Sequence, residues 1–398
     1  MPQTRTTNQT SGPGSLLPAI IILVCAALDV AILIIMLADK SRLNSDFMAF
    51  WSYPRFAASH PVALLYNTDA LRGFQQTLYP GFDSFYPYLY PPTLLLVTWW
   101  LKYLSFTYAQ WLWSLTGLIA IIAAIIALFP TRRGPVMLAI LASPACLLNL
   151  ATGETACFTT ALLLAGLAWL PRRPALAGIA FGLLTLKPQL GLLLPVLLLA
   201  RHEWRAIITA TLTAIGLVAL SCIIFPVGLW PLWAISLAGY QADIFAGHGL
   251  NLHILVTPAA NLISLGAPPA LAWAGQLAAT LTVAALMWLV ARRGPYRLAA
   301  AALLTGGFLA VPHAYAYDTI TITAALALCY RPTMPLWHVA FGGLVYLAPL
   351  LLLTPAAPVF LYAVPVAGCF ALIIMLALAP PNGALSADEP IAKRASQC

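Results

Sequence analysis

PRRPALAGIAFGLLTLKPQLGLLLPVLLLA, residues 171–200, places two apolar arms around one polar turn, Leu-Lys-Pro-Gln, with arginines at the entrance and at Arg201 just past the exit. A second stretch repeats the plan: arms 298–311 and 319–330 flank PHAYAYD at 312–318. As helices rising ~1.5 Å per residue the four arms reach only about 17 to 21 Å, short of the roughly 30 Å of hydrocarbon in a bilayer. Their tips therefore lie below the membrane surface. Polar, proline-bearing backbone at that depth is tolerated only against protein or a water-filled cavity. The expectation is an outward-facing cavity lined by Lys187, His313 and Asp318.

The rest of the chain agrees with a membrane setting. Of 398 residues, 62% are hydrophobic and only 8% charged, and apolar runs near 20 residues recur throughout. A soluble fold of this length needs more charge on its surface, and a β-barrel would alternate polarity along each strand. The fold class is all-α: a polytopic bundle of about 12 transmembrane helices, both termini inside, forming one integral membrane domain over 1–398. Residues 1–15 read as a disordered cytoplasmic tail and 381–398 as a second. The first run, about Leu16 to Leu37, is long for a signal peptide and carries Asp29, so it reads as a retained anchor. Asp29 itself reads as a paired or neutral buried acid without a role.

The formal charge of +8 does not point to nucleic acid, because the basic residues punctuate apolar runs instead of gathering on one face. TRRGP (131–135), PRRP (171–174) and ARRGP (291–295) are such marks, and the positive-inside rule puts them on the cytoplasmic side. Arg201, Arg205, Arg297, Arg331, Lys393 and Arg394 join them. Asp39, Asp46, Asp69, Asp83, Glu154, Asp243 and Asp318 then fall on the opposite side. This plan requires that the two apolar runs between Pro92 and Phe129 supply one full crossing, not two. Seven cysteines form no CxxC pair and read as small buried hydrophobes.

Two long outer segments complete the plan. Residues 39–91, rich in Tyr, Phe and Trp, read as short helices in a first periplasmic loop, where amphipathic aromatics are stable at the interface. Residues 226–270 read as a second such loop. Neither is large enough for a separate soluble domain, so any chemistry occurs at the membrane face.

Asp46, in LNSDFMAFWSYPRFA at 43–57, stands just past the first apolar run. A carboxylate near a hydrophobic surface has its pKa raised by desolvation and suits a general base; the competing reading is a helix N-cap. Glu154, in LATGETACFTT, either orients a sugar hydroxyl or favours a helix N-terminus. Lys187 either faces a phosphate or snorkels to the interface. His313 and Asp318 either touch substrate or form a structural His–Asp hydrogen bond, while Tyr315 and Tyr317 suit packing against a sugar ring. His248, Asn251 and His253 are candidate polar contacts in the second outer loop. No Walker, Rossmann, HExxH or nucleophile-elbow pattern appears, so no nucleotide or other tightly bound cofactor is read, and no metal site is assigned.

Several segments together resemble a known family: SDFMAFWSYPRFA with ALLYN, YLYPPTLLLV, NLATGETACFTTALLLAGLAW, RRPALAGIAFGLLTLKPQLGLLLPVLLL and PHAYAYDTITI, in this order over about residues 40–330. They resemble the polyprenyl-phosphate-mannose-dependent α-mannosyltransferases of glycosyltransferase family 87. The resemblance implies a GT-C membrane fold, a donor of the polyprenyl-phosphate sugar type and inverting transfer to a lipid-linked or cell-envelope glycan acceptor. It also implies that an aspartate in the first outer loop, here Asp46, is the base. Two departures stand out: the family's Gly-Gln is Gly153-Glu154 here, and its Gly-Asn-Gln-Ser-like loop appears as GHGLN at 247–251.

Residues and resemblance together give a mechanism. A phosphate leaving group needs little general-acid help, so one base and cationic stabilisation suffice. Asp46 deprotonates the acceptor, and Lys187, with Arg55 or His313, neutralises the lipid phosphate. The expected location is the cytoplasmic (inner) membrane, with the active site on its periplasmic or extracellular face. Two rival readings predict otherwise: a transporter or flippase for a lipid-linked or small polar solute, which usually shows paired internal repeats, and a structural subunit of an envelope assembly.

Overall fold

The computed structural model describes residues 13–38, 46–78, 85–245, 252–351 and 361–379. Helices joined by turns and short irregular links make up the described residues, and the β pairing among them is a single antiparallel bridge between Leu255 and Tyr315.

An apolar helix α1 (Pro13–Ala38) opens the chain, and α2 (Phe47–Ser59) and α3 (Thr68–Leu78) follow in the first outer segment. Next come the short α4 (Thr93–Thr98) and the long α5 (Phe106–Leu128). The single crossing expected between Pro92 and Phe129 is met in length: α4 has 6 residues and α5 has 23. A pair bent by 55°, α6 (Arg133–Leu141) and α7 (Pro144–Thr152), leads into α8 (Ala156–Trp169). The first hairpin is built from α9 (Pro174–Leu183) and α10 (Leu194–Ala200), with two 3-10 turns around Lys187 between them. Then α11 (Trp204–Ile224), α12 (Leu229–Phe245), α13 (Pro258–Ser264) and α14 (Pro269–Arg293) lead to the second hairpin, α15 (Tyr296–Ala310) and α16 (Ile320–Cys329). The described chain closes with α17 (Leu336–Leu351) and α18 (Ala363–Leu378).

Local sequence sets these boundaries. Pro174 and Pro269 occupy first-turn positions of α9 and α14, where a missing N–H costs nothing. Ser143 caps α7 by accepting from the Cys146 N–H at 3.2 Å. Gly153 ends that helix at φ +73°, a left-handed conformation that glycine adopts without a Cβ penalty.

Three helices among the described residues, α5, α11 and α14, are long and apolar enough to cross a membrane, or four if the bent α6–α7 pair is one span. These helices bear out the all-α membrane class and do not establish the count of about 12 spans. Several other apolar helices are shorter, α8 with 14 residues, α9 with 10 and α15 with 15, and prolines stand at or beside their ends. The exterior is nonetheless a lipid-facing one: Ile208, Leu212, Ile215 and Ile223 of α11 and Leu277 and Leu281 of α14 are all exposed, an apolar surface that water does not tolerate. At the centre lies α15, alanine-rich and buried on every side from Leu298 to Thr305.

The basic marks meet at one end of the bundle and satisfy helix C-terminal carbonyls there. Arg132 and Arg297 both donate to the Tyr330 carbonyl past α16, at 3.2 and 3.1 Å. Arg201 donates to Gly294 past α14, and Arg292 donates to Ala200 at the end of α10. Asp29 was expected to be paired if ionised; both its carboxyl oxygens are buried on α1 without a hydrogen-bond partner.

Candidate active site

At the ends of the two hairpins, opposite the arginines, the chain encloses a cavity of about 660 Å³. Asp46, Glu154, Lys187, His313 and Tyr317 all line it, together with Tyr53, Tyr86, Tyr90, Tyr240, Tyr315, Gln189, Trp233 and Asp243. The tips thus meet as their short arms require, with one rearrangement. Asp318 is 1% exposed and stands behind Lys187, off the cavity wall, where its Oδ1 accepts from the Lys187 ammonium at 2.7 Å. Its Oδ2 accepts from the Tyr315 N–H at 3.3 Å and so holds the 3-10 turn Ala316–Thr319.

Lys187 therefore does not snorkel. It is buried, paired, and placed with Nζ 5.1 Å from the Tyr317 ring centroid. The His–Asp hydrogen bond considered from sequence is replaced by this ion pair. His313 Nδ1 is left without a partner, and its ring packs edge-on against Tyr240 and Tyr315. Burial, reinforced by the Lys187 charge, pushes the His313 pKa down to about 3. Both effects favour the neutral imidazole.

Asp46 occupies the N-cap position of α2, yet its side chain makes no capping hydrogen bond. Its carboxylate instead receives the Tyr86 hydroxyl. Desolvation raises its pKa from the ordinary carboxylate value, partly offset by that hydrogen bond and by the charge on Lys187. Tyr86 is itself gripped by buried Gln75, whose Oε1 accepts from the Tyr86 N–H at 3.1 Å and whose Nε2 donates to the Tyr86 carbonyl at 3.0 Å. Sequence reasoning missed both residues. The only signal was the Tyr-Pro alternation of YPYLYPP at 86–92.

Gly153 joins the Asp46 and Glu154 walls. Any Cβ at Gly153 would strike Phe47, the residue after Asp46, so the glycine lets α2 seat directly on the α7–α8 turn. Asn149, also missed, shapes that turn: its carbonyl accepts from Gly153 and Glu154, and its Oδ1 accepts from the Ala156 N–H at 2.8 Å. Trp113 Nε1 locks the Gly153 carbonyl from α5 at 3.1 Å.

Arg55 does not reach the cavity. Its guanidinium donates to the carbonyls of Trp51, Leu101 and Leu104 and stacks over the Trp51 ring, so it ties α2 to the segment after α4 and is not free for a phosphate. His248 and Asn251 lie outside the described residues, as does the His253 side chain.

A second, almost wholly apolar groove of about 650 Å³ opens beside the cavity. Leu94 and Val97 of α4, Ala120, Ala123 and Ala127 of α5, Leu162 and Ala165 of α8, and Ile179 and Leu183 of α9 form its walls. Tyr90, Leu186 and Lys187 border both spaces, so the Lys187 side chain lies between the apolar groove and the polar cavity.

The protein is helical with an apolar exterior, and its carboxylates and one lysine converge on a cavity that shares Tyr90, Leu186 and Lys187 with an apolar groove. The chain belongs to glycosyltransferase family 87, whose sequence profile matches residues 88–312, and it is accordingly a membrane glycosyltransferase. No curated protein matches the chain. No solved structure matches it either. Glu154 and Lys187 fall inside the matched region; Asp46, His313 and Asp318 fall outside it.

Proposed function

We propose that the protein is a GT-C-type glycosyltransferase that takes a sugar, mannose by family resemblance, from a polyprenyl-phosphate carrier and transfers it with inversion to a lipid-linked or cell-envelope glycan. The observation that carries this reading is the junction at Lys187. One cation borders both an apolar groove suited to an isoprenoid chain and a polar cavity suited to a sugar, which is where the phosphate of such a donor belongs.

In the proposed reaction Asp46 removes the proton from the acceptor hydroxyl as that oxygen attacks the anomeric carbon. The bond from that carbon to the phosphate oxygen breaks on the opposite face. The lipid phosphate leaves with the electron pair as a stable anion, so no strong general acid is needed. Lys187 stabilises the charge that develops on the phosphate, with Asp318 holding the ammonium in place. Tyr315 and Tyr317, stacked at 5.1 Å between ring centroids, offer a face for the sugar ring. No tightly bound cofactor enters the scheme. The active site opens on the periplasmic or extracellular side of the cytoplasmic membrane, opposite the arginine-rich end.

Membranes carrying the protein, given radiolabelled polyprenyl-phosphate mannose and an acceptor lipid extract, should move label into glycan. Asp46→Asn should abolish transfer without releasing the protein from the membrane. Full transfer by Asp46→Asn removes the proposed base, and solute uptake into proteoliposomes without transfer would replace the enzyme reading by a transporter.

A further inference from the structure

Glu154 faces the same cavity as Asp46, and the reaction above leaves it unused. Its surroundings are unusual for a carboxylate. The residue is 8% exposed, Oε2 accepts only from the Thr155 N–H at 3.2 Å and the Tyr90 hydroxyl at 3.5 Å, and neither bond reaches Oε1. The charged groups that act on it are Lys187 from the first hairpin tip, Asp46 from the start of α2 and Asp318 from the second hairpin tip. The one cation among them is already paired with Asp318. The phenols of Tyr53, Tyr86, Tyr90, Tyr315 and Tyr317 sense Glu154 too, and their own burial keeps them neutral. An ionised Glu154 would thus be a buried negative charge with weak hydrogen bonds, no cation of its own and two carboxylates nearby.

We propose that Glu154 works as the neutral acid, donating its carboxyl proton in a hydrogen bond to the anionic donor held at Lys187, and that its ionisation expels that donor. This rests on the polyprenyl-phosphate reading above. A carboxylic acid beside a phosphate oxygen makes a short charge-assisted O–H···O⁻ bond, whereas a carboxylate there repels the ligand. Burial pushes the Glu154 pKa up to about 7, so the change falls in an accessible range. The sign is that of any raised acid: below this value the group is protonated and the donor admitted, and above it the donor is lost.

A sugar phosphodiester has no proton to lose between about pH 6 and 9, so pH-dependent binding of such a donor reports on the protein. Binding of polyprenyl-phosphate mannose and polyprenyl-phosphate glucose would be measured without acceptor across that range, for wild type and Glu154→Gln. Wild-type affinity should fall about thirtyfold from pH 6 to 8.5 if only the neutral acid binds. Glu154→Gln, which keeps a donor and adds no charge, should stay near the wild-type pH 6 value, any residual slope belonging to Asp46. Infrared difference spectra of the ligand-free protein read the proton directly: a protonated-carboxyl band present at pH 6, lost by pH 8.5, and missing from Glu154→Gln. Absence of that band, a flat wild-type affinity, or a Glu154→Gln profile that falls like the wild type's overturns the inference. Failure of both proteins to bind either diester at any pH, with the band present, overturns the donor reading instead.

Discussion

The Lys187 ammonium lies 2.7 Å from Asp318 Oδ1, and the pair links hairpin tips 131 residues apart in sequence, both side chains buried. Removing one partner leaves the other as an uncompensated buried charge. Lys187→Ala is therefore expected to lower stability by about 3–5 kcal/mol, read as thermal unfolding in detergent. The double change Lys187→Met with Asp318→Leu should recover most of that loss and still bind donor poorly, separating the structural from the functional share. Lys187→Arg keeps a cation at the junction and should raise the donor KM less than Lys187→Ala. Equal KM values for those two variants would remove Lys187 from donor binding.

The Tyr86 hydroxyl stabilises the ionised form of Asp46, and only that form can act as a base. Tyr86→Phe removes the bond, so the Asp46 pKa, already raised by burial, rises further. The acid limb of the rate profile should move to higher pH while the rate above the limb stays within a few-fold of wild type. Asp46→Asn, by contrast, should cost about 10²- to 10⁴-fold above the limb and lose the limb itself. An unmoved acid limb in Tyr86→Phe would show that the limb belongs to another group.

How much of this was legible in the sequence depended on range. The hairpin arms were too short for a bilayer, and that alone brought Lys187 and His313 to one cavity. Asp46 was marked by its place after the first apolar run. What failed were judgements that needed contacts between distant segments. Arg55 resembled a phosphate ligand by charge, but carbonyls at Leu101 and Leu104, nearly 50 residues away, take up its donors. Asp318 seemed to face the cavity until its partner 131 residues back was in view. Gln75 and Asn149 shape the site largely by bonding backbone groups across turns, which leaves no pattern of spacing. The span count is beyond hydropathy for a related reason: hydropathy measures apolar length, whereas Pro and Gly decide whether that length becomes one helix or two.

Gly178 and Gly182, one helical turn apart on α9, seat that helix against α11. A Cβ on Gly178 would collide with Thr209 and the Ala206 carbonyl, and one on Gly182 with Thr213 and the Ala210 carbonyl. This is the close backbone approach that small residues four apart permit between membrane helices. Gly182→Val should cost about 1–3 kcal/mol through overpacking and displace the tip that carries Lys187. Gly191→Ala is the matched control, since its nearest neighbour would be 3.5 Å away and no loss is expected. Comparable thermal shifts for both variants would contradict close α9–α11 packing.

The apolar groove can be tested apart from the chemistry. Ala123 of α5 and Ala165 of α8 both line the groove, and a Leu at either position would occupy space without adding charge. If the groove holds the isoprenoid chain, each displaced methylene forfeits about 0.8 kcal/mol, so excluding two should raise the KM of a long-chain donor roughly tenfold. A donor with only one or two isoprene units has little chain for the added Leu to displace and should be used as well by the variants as by wild type. Asp46 and its acid limb should be unaffected in both cases. A KM increase that is the same for short and long donors would place the chain elsewhere and reduce the groove to a lipid-filled seam between α5 and α8.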